Sequence, residues 1–227
     1  MKKNMFMFIG FCLLLAGCNS VKIETKTDKY VADTKNWEVN VEKSVFSSKD
    51  AKAEQSCKIF NERVQQFIDS LQNNLKTEAD TFFALYTDKP EERPVFSYQF
   101  YVRDTVFMAD ADKISLRLSV YSFTGGAHGM TDFYAFNYDV KKRVFLSPGQ
   151  IIDLKKTKEL NELLAKNFKN DQKCFTDKPT LKSGYTAFNI SPEAICFTYP
   201  QYALGPYYCG PAEVFIPRSE LKGLWLE

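Results

Sequence analysis

One histidine stands in the whole chain, His128, inside Thr124-Gly-Gly-Ala-His-Gly129. An imidazole can serve as general base, metal ligand or pH switch. A base needs a nucleophile within hydrogen-bond reach and a group that orients it, and no motif here supplies either. A metal site built on one histidine would need several carboxylates converging on it, and no spacing suggests them. The glycines at 125, 126 and 129 permit tight folding and close backbone approach. His128 therefore reads first as a structural residue whose ring locks its loop by hydrogen bonds. Paired catalytic carboxylates, a G-x-S-x-G elbow, a phosphate loop and H-E-x-x-H are all missing, which lowers the catalytic reading. No cofactor is expected.

A second group lies in Leu204-Gly-Pro-Tyr-Tyr-Cys-Gly-Pro211. Pro206 and its neighbours stiffen a loop that carries Tyr207 and Tyr208. Rigid loops presenting tyrosines suit recognition, because Tyr offers a large contact area at little entropic cost. The same tyrosines could instead cover a sheet edge and pack internally, and both roles stay open. The expected recognition edge joins residues 124–130 to residues 204–211, with His128, Pro206, Tyr207 and Tyr208 as its contact residues.

The start of the chain reads as an export signal. Lys2 and Lys3 precede an apolar run from Met5 to Ala16 that is too short to span a bilayer of ~30 Å. Leu15-Ala16-Gly17-Cys18 resembles the bacterial lipobox, which implies acylation of Cys18 and a membrane anchor through lipid. Asn19 after it points to the outer membrane, facing the periplasm. Residues 1–17 are then the signal peptide and residues 18–36, rich in Lys, Thr and Asp, a flexible tether. In an exported protein, Cys57, Cys174, Cys196 and Cys209 predict two structural disulfides, with three pairings open. A metal site would need close pairs such as C-x-x-C, and there are none.

Without Lys2 and Lys3 the chain holds 28 Lys and Arg against 28 Asp and Glu. Neutrality with no basic cluster excludes nucleic acid as the expected partner.

These residues need elements to hold them. Twenty Phe and twelve Tyr favour a β-rich core. Residues 37–46 alternate apolar and polar like a half-buried strand. From Ala51, apolar residues at Cys57, Phe60, Val64, Phe67, Ile68, Leu71 and Leu75 trace one stripe of a long helix over 51–84. Two prolines between Thr87 and Pro94 end it. Strands follow at 95–104, 113–123 and 131–139. The middle one turns Ile114, Leu116, Leu118 and Val120 inward and Ser115, Arg117 and Ser119 outward. A second helix is expected near 155–169, then strands at 185–190, 194–199 and 213–216, and a last short helix through Leu224. The fold class is α+β, with antiparallel strands packed against one long and one shorter helix. The division expected is an N-terminal strand–helix–strand lobe over 37–104 and a C-terminal lobe over 105–227.

Tyr202, Pro206, Tyr207, Gly210, Pro211, Val214, Ile216, Pro217 and Leu221, with Gly125-Gly-Ala-His128, resemble the consensus of a bacterial envelope domain of unknown function. That domain is shared by RsiV-type anti-sigma factor ectodomains and PdaC-type peptidoglycan deacetylases. The resemblance runs from about Tyr121 to Leu224, and residues 37–104 are similar in element order to the companion domain that precedes it. It implies an α/β arrangement acting as a non-catalytic binding or sensor module, whose partner is peptidoglycan or a protein such as a lysozyme-type muramidase. The chain departs from both relatives in having no room for a sigma-binding segment or a deacetylase domain, and in carrying Cys209 inside the loop. An envelope hydrolase or deacetylase using His128, or a structural lipoprotein, is the alternative. A neutral surface offers little attraction to strongly basic lysozymes.

Overall fold

The computed structural model describes residues 21–226. The expected signal peptide and Cys18 lie outside the described residues.

Helix α1 spans Ala51–Ala84 and begins where Asp50 accepts hydrogen bonds from the backbone N–H groups of Lys52 and Ala53. Such a cap satisfies donors that the first helical turn leaves free. Of the predicted stripe, Cys57, Phe60, Val64, Ile68 and Leu75 are buried and Phe67 and Leu71 partly so, and Ala79 and Phe83 extend it along the core. Each such side chain contributes at most about 1.5–3 kcal/mol by leaving water. Two polar clamps set the helix against its sheet. Asn61 donates to the Phe46 carbonyl at 2.8 Å and accepts from the Phe46 N–H at 3.0 Å. Ser56 donates to the Val140 carbonyl at 2.7 Å.

The sheet beneath α1 has six strands in chain order: β1 (Ile23–Asp33), β2 (Trp37–Ser48), β3 (Tyr98–Ala109), β4 (Lys113–Phe123), β5 (Met130–Asp139) and β6 (Val144–Phe145). All pairs are antiparallel except β2–β3, which is parallel because α1 is the crossover between them. Residues 23–33, expected in the flexible tether, form β1 instead. This strand pairs with β2 along its whole length, and all but Ile23 and Ala32 are exposed. A strand with little to bury carries no hydrophobic alternation to detect, so backbone pairing alone defines it.

The chain then passes through a short helix α2 (Pro148–Ile151), closed by a capping box between Ser147 and Gln150, into α3 (Thr157–Asn167). A three-stranded antiparallel sheet follows, β7 (Ala187–Ile190), β8 (Ala194–Tyr199) and β9 (Ala212–Pro217). Only a single 3₁₀ turn, Arg218–Glu220, stands where a last helix through Leu224 was expected.

Two cores result. One holds residues from Ile23 to Val140, the other residues from Ile151 to Leu224. The expected lobe boundary at 104/105 falls inside β3, and the division lies instead after β6. The sequence-level boundary was misplaced because β4 has two buried faces. Ile114, Leu116, Leu118 and Val120 belong to the first core, as predicted. Ser115 and Arg117, expected to face water, are buried as well. They point away from α1 and meet the second sheet. Asn189 of β7 donates to Ser115 Oγ at 3.0 Å, and Ser115 donates to Asn137 of β5 at 2.7 Å. Asn137 in turn donates to the Phe188 carbonyl at 2.7 Å. Arg117 reaches Thr198 Oγ1 at 2.7 Å and Glu213 at 2.6 Å, and lies over the rings of Phe107 and Phe133. The lobes are joined by a buried polar seam in which all four side chains are bonded, with only Arg117 Nε and Asn189 Oδ1 left without a partner among them.

Candidate functional site

The β4–β5 connection, residues 124–129, turns sharply because Gly125 and Gly126 take φ of +105° and +91°. Gly129 is fixed by space: a Cβ there would run into the Tyr121 ring and the Ser122 carbonyl. Tyr121 is itself held by stacking on Tyr101, with ring centroids 5.6 Å apart.

The β8–β9 connection is anchored from the other side. The Leu204 carbonyl accepts from the N–H groups of both Thr176 and Asp177 at 3.0 Å. Gly205 packs against the Phe175 backbone, with room for little more than hydrogen. Pro206 leads into a 3₁₀ turn over Tyr207–Cys209, and Cys209 forms a disulfide with Cys174. Tyr202 sits at φ +69°, a left-handed conformation that costs a bulky residue energy unless its surroundings hold it there.

The two loops meet, as expected. Tyr207 donates its hydroxyl hydrogen to the Gly129 carbonyl at 2.9 Å. The His128 ring stacks on Tyr207 with centroids 3.8 Å apart, and Tyr202 stands 5.6 Å from Tyr207. His128 Nδ1 lies 3.1 Å from that same Gly129 carbonyl. A carbonyl only accepts, so Nδ1 carries the hydrogen and Nε2 is left to accept from the Tyr202 hydroxyl at 3.4 Å. His128 is thus held by backbone and tyrosines, as the structural reading had it, yet its ring is exposed. Among the described residues no carboxylate is bonded to it to orient it as a base. Among the described residues no group of three or more His, Cys, Asp or Glu is gathered to hold a metal.

The structure therefore unites His128, Pro206 and Tyr207 in one site and adds Tyr202, which the sequence reading placed in the motif but not in the contact surface. Its signal was a bulky residue in a glycine- and proline-rich turn. Tyr208 does not join them. It is 81% exposed and flanks a separate hollow beside the disulfide, lined by Lys169, Lys173 and Phe175.

Of the four cysteines expected to form two disulfides, only Cys174 and Cys209 are paired. Cys57 and Cys196 are free thiols: Cys57 lies in the first core under α1, whereas Cys196 is buried on the face of β8 that also carries Thr198 toward β4, so the first sheet stands between them. Burial pushes the Cys57 thiol up to about 11 and the Cys196 thiol up to about 12, reinforced by Glu54 and Glu213 respectively. Both are buried and inert.

Comparison with known proteins places this geometry. Residues 22–131 match the family model described as deacetylase PdaC, and residues 143–219 match the one described as a protein of unknown function, DUF3298. Over 219 residues the chain is 25% identical to the peptidoglycan-N-acetylmuramic acid deacetylase PdaC of Bacillus subtilis strain 168. That match covers 92% of this chain and 46% of that protein, so the chain spans about half the length of its curated relative. Two crystal structures share the fold. A DUF3298 family member from Bacteroides fragilis superposes with a TM-score of 0.61 at 19% identity, over 90% of this chain and 93% of that one. A DUF3298 family protein from Pseudomonas aeruginosa PAO1 gives 0.52 at 20% identity, over 90% and 94%. One region of the chain thus matches the PdaC model and the next the DUF3298 model, and the aromatic site brings together residues of both.

Proposed function

We propose that this protein is a non-catalytic binding module of the bacterial cell envelope, anchored by lipid at Cys18, whose ligand is a cell-wall glycan held on the His128–Tyr202–Tyr207 rings. The observation that carries this reading is the exposed stack of His128 on Tyr207, braced by the Gly129 carbonyl and flanked by a left-handed Tyr202. Rings fixed before binding lose little freedom when a ligand arrives. Their faces carry negative π density, which suits the polarised C–H face of a pyranose ring. The relative from Bacillus subtilis is named for action on peptidoglycan, which supports the choice of ligand.

Co-sedimentation of the full chain with purified insoluble peptidoglycan tests the proposal, alongside capture on immobilised lysozyme. The expected result is retention on peptidoglycan that is lost in Tyr207→Ala and reduced in Tyr202→Ala, with both variants folded. Retention on lysozyme alone would replace the glycan with a protein partner. Undiminished retention of both variants would move the site elsewhere. Labelling with a fatty-acid probe, abolished by Cys18→Ala, tests the anchor.

A further inference from the structure

Two residues break the patterning of the first core, and they break it at the same place. Strand β2 turns Val39 and Val41 inward, and the next inward position holds Lys43. The stripe of α1 runs through Val64, Ile68 and Leu75, and between the last two it holds Gln72. Lys43 is only 6% exposed and Gln72 only 8%. Strand and helix face each other across the sheet, so an apolar pair at these positions would have met and closed the core. Instead the two polar residues line a cavity of about 360 Å³ between the β1–β2 hairpin and α1.

The polar groups in this cavity are under-used. The Lys43 ammonium donates to Asp28 at 3.2 Å, and the Asp28 side chain is itself 60% exposed to water. Two further N–H groups of that ammonium remain. The Gln72 amide has no hydrogen-bond partner among the described residues. The amide opens onto the cavity rather than being sealed in the core, and local patterning is broken chiefly where function requires it.

We propose that the cavity binds a small ligand through its carboxylate, of the kind carried by an amino acid or by the C-terminus of a short peptide. One carboxylate accepts from the remaining N–H groups of the Lys43 ammonium, beside its bond to Asp28, and from the Gln72 amide, which has no partner of its own. The mouth is lined by Asp28, Asp69 and the ring of Tyr30. Two acids there accept N–H groups from the ligand's amine or peptide bond and disfavour a second negative charge. Ile68 and Val41 give the apolar wall for a small side chain. The volume lies at the lower end of small-molecule sites, about 300–1,000 Å³.

Isothermal titration of the full chain with Ala-Ala, with its C-terminal amide and with free alanine tests this. Ala-Ala or alanine should bind saturably, and which of them does separates a peptide end from a free amino acid. The amide should show no saturable heat. Lys43→Met and Gln72→Leu should each weaken binding by about tenfold or more, the loss of one hydrogen bond to a charged group. Circular dichroism checks that each variant is folded, and Gln72→Leu decides the matter if Lys43→Met does not fold. The proposal fails if neither carboxylate probe binds, if the amide binds equally well, or if the folded variants bind as the wild type does.

Discussion

The two lobes solve the same problem with unequal means. The first buries a 34-residue helix against strands of ten to twelve residues, and its core is almost wholly apolar. The second has strands of four to six residues and one helix of eleven. So short a sheet encloses only a small core, with α3 packed on β9. It gains what it lacks in two ways: its β7–β8 edge docks on the polar outer face of β4 and β5, and a disulfide ties its longest loops together. The lobe that depends on its neighbour and on a covalent tie is also the one that brings the tyrosines to the site. Stiffness of the binding loop and weakness of the lobe behind it go together, and the cross-link addresses both.

The strongest challenge to this contrast is Phe60→Ala. Phe60 is fully buried and meets Phe46, Phe136, Tyr138 and Phe145. Truncation should cost about 3–5 kcal/mol. Because the second lobe leans on the first, urea unfolding should show both lobes lost together. A second lobe that keeps its near-UV signal after the first has unfolded would break the asymmetry.

Removing the disulfide by Cys174→Ala with Cys209→Ala should cost about 3–4 kcal/mol, given the 35-residue separation it closes. The loss should appear in hydrogen exchange of β8 and β9 and spare α1. Equal loss in both lobes would show that the tie serves the whole chain.

Gly129→Ala sharpens the picture at the junction. The added methyl meets Tyr121 and the Ser122 carbonyl, and displacing them should cost about 1–3 kcal/mol. It should also release Tyr207 from the Gly129 carbonyl, so binding falls while both cores persist.

The free thiols treat the lobes alike. Cys57 and Cys196 hold their protons more tightly folded than unfolded, their ordinary value being 9.0. Their contribution is therefore complete below pH 9 and is lost as pH rises through about 11 and 12. Denaturant midpoints should fall across that window, and Cys57→Ala with Cys196→Ala should flatten the fall. Thiol titration of the unreduced, denatured described region should find two free groups rather than none.

Tyr208→Ala should have the smallest effect. The side chain is exposed and makes no ring contact among the described residues, so stability should change by less than about 0.5 kcal/mol. Glycan retention should also survive, in contrast to Tyr207→Ala.

Helix α1 was legible to its ends because a period of three and four residues, an aspartate cap and a proline stop are all local signals. Strands β2, β4 and β5 were legible for the same reason. Strand β1 was not, since an exposed edge strand needs no apolar alternation. The burial of Lys43 and Gln72 was not legible either, because nothing in either element's pattern says that the two face one cavity.

Local chemistry thus decided the α+β class, the long helix, the stiffness of both glycine-rich loops and the lack of a catalytic motif, because each depends on residues within a few positions of one another. Tertiary packing alone decided the rest. Which cysteines pair depends on where each is buried, and the first sheet separates Cys57 beneath α1 from Cys196 on the seam face of β8. Whether Ser115 and Arg117 meet water depends on a sheet that begins some seventy residues later. Tyr207 joins His128 while Tyr208 turns away, because a 3₁₀ turn rotates adjacent side chains by about 120° and only one of them can face Gly129.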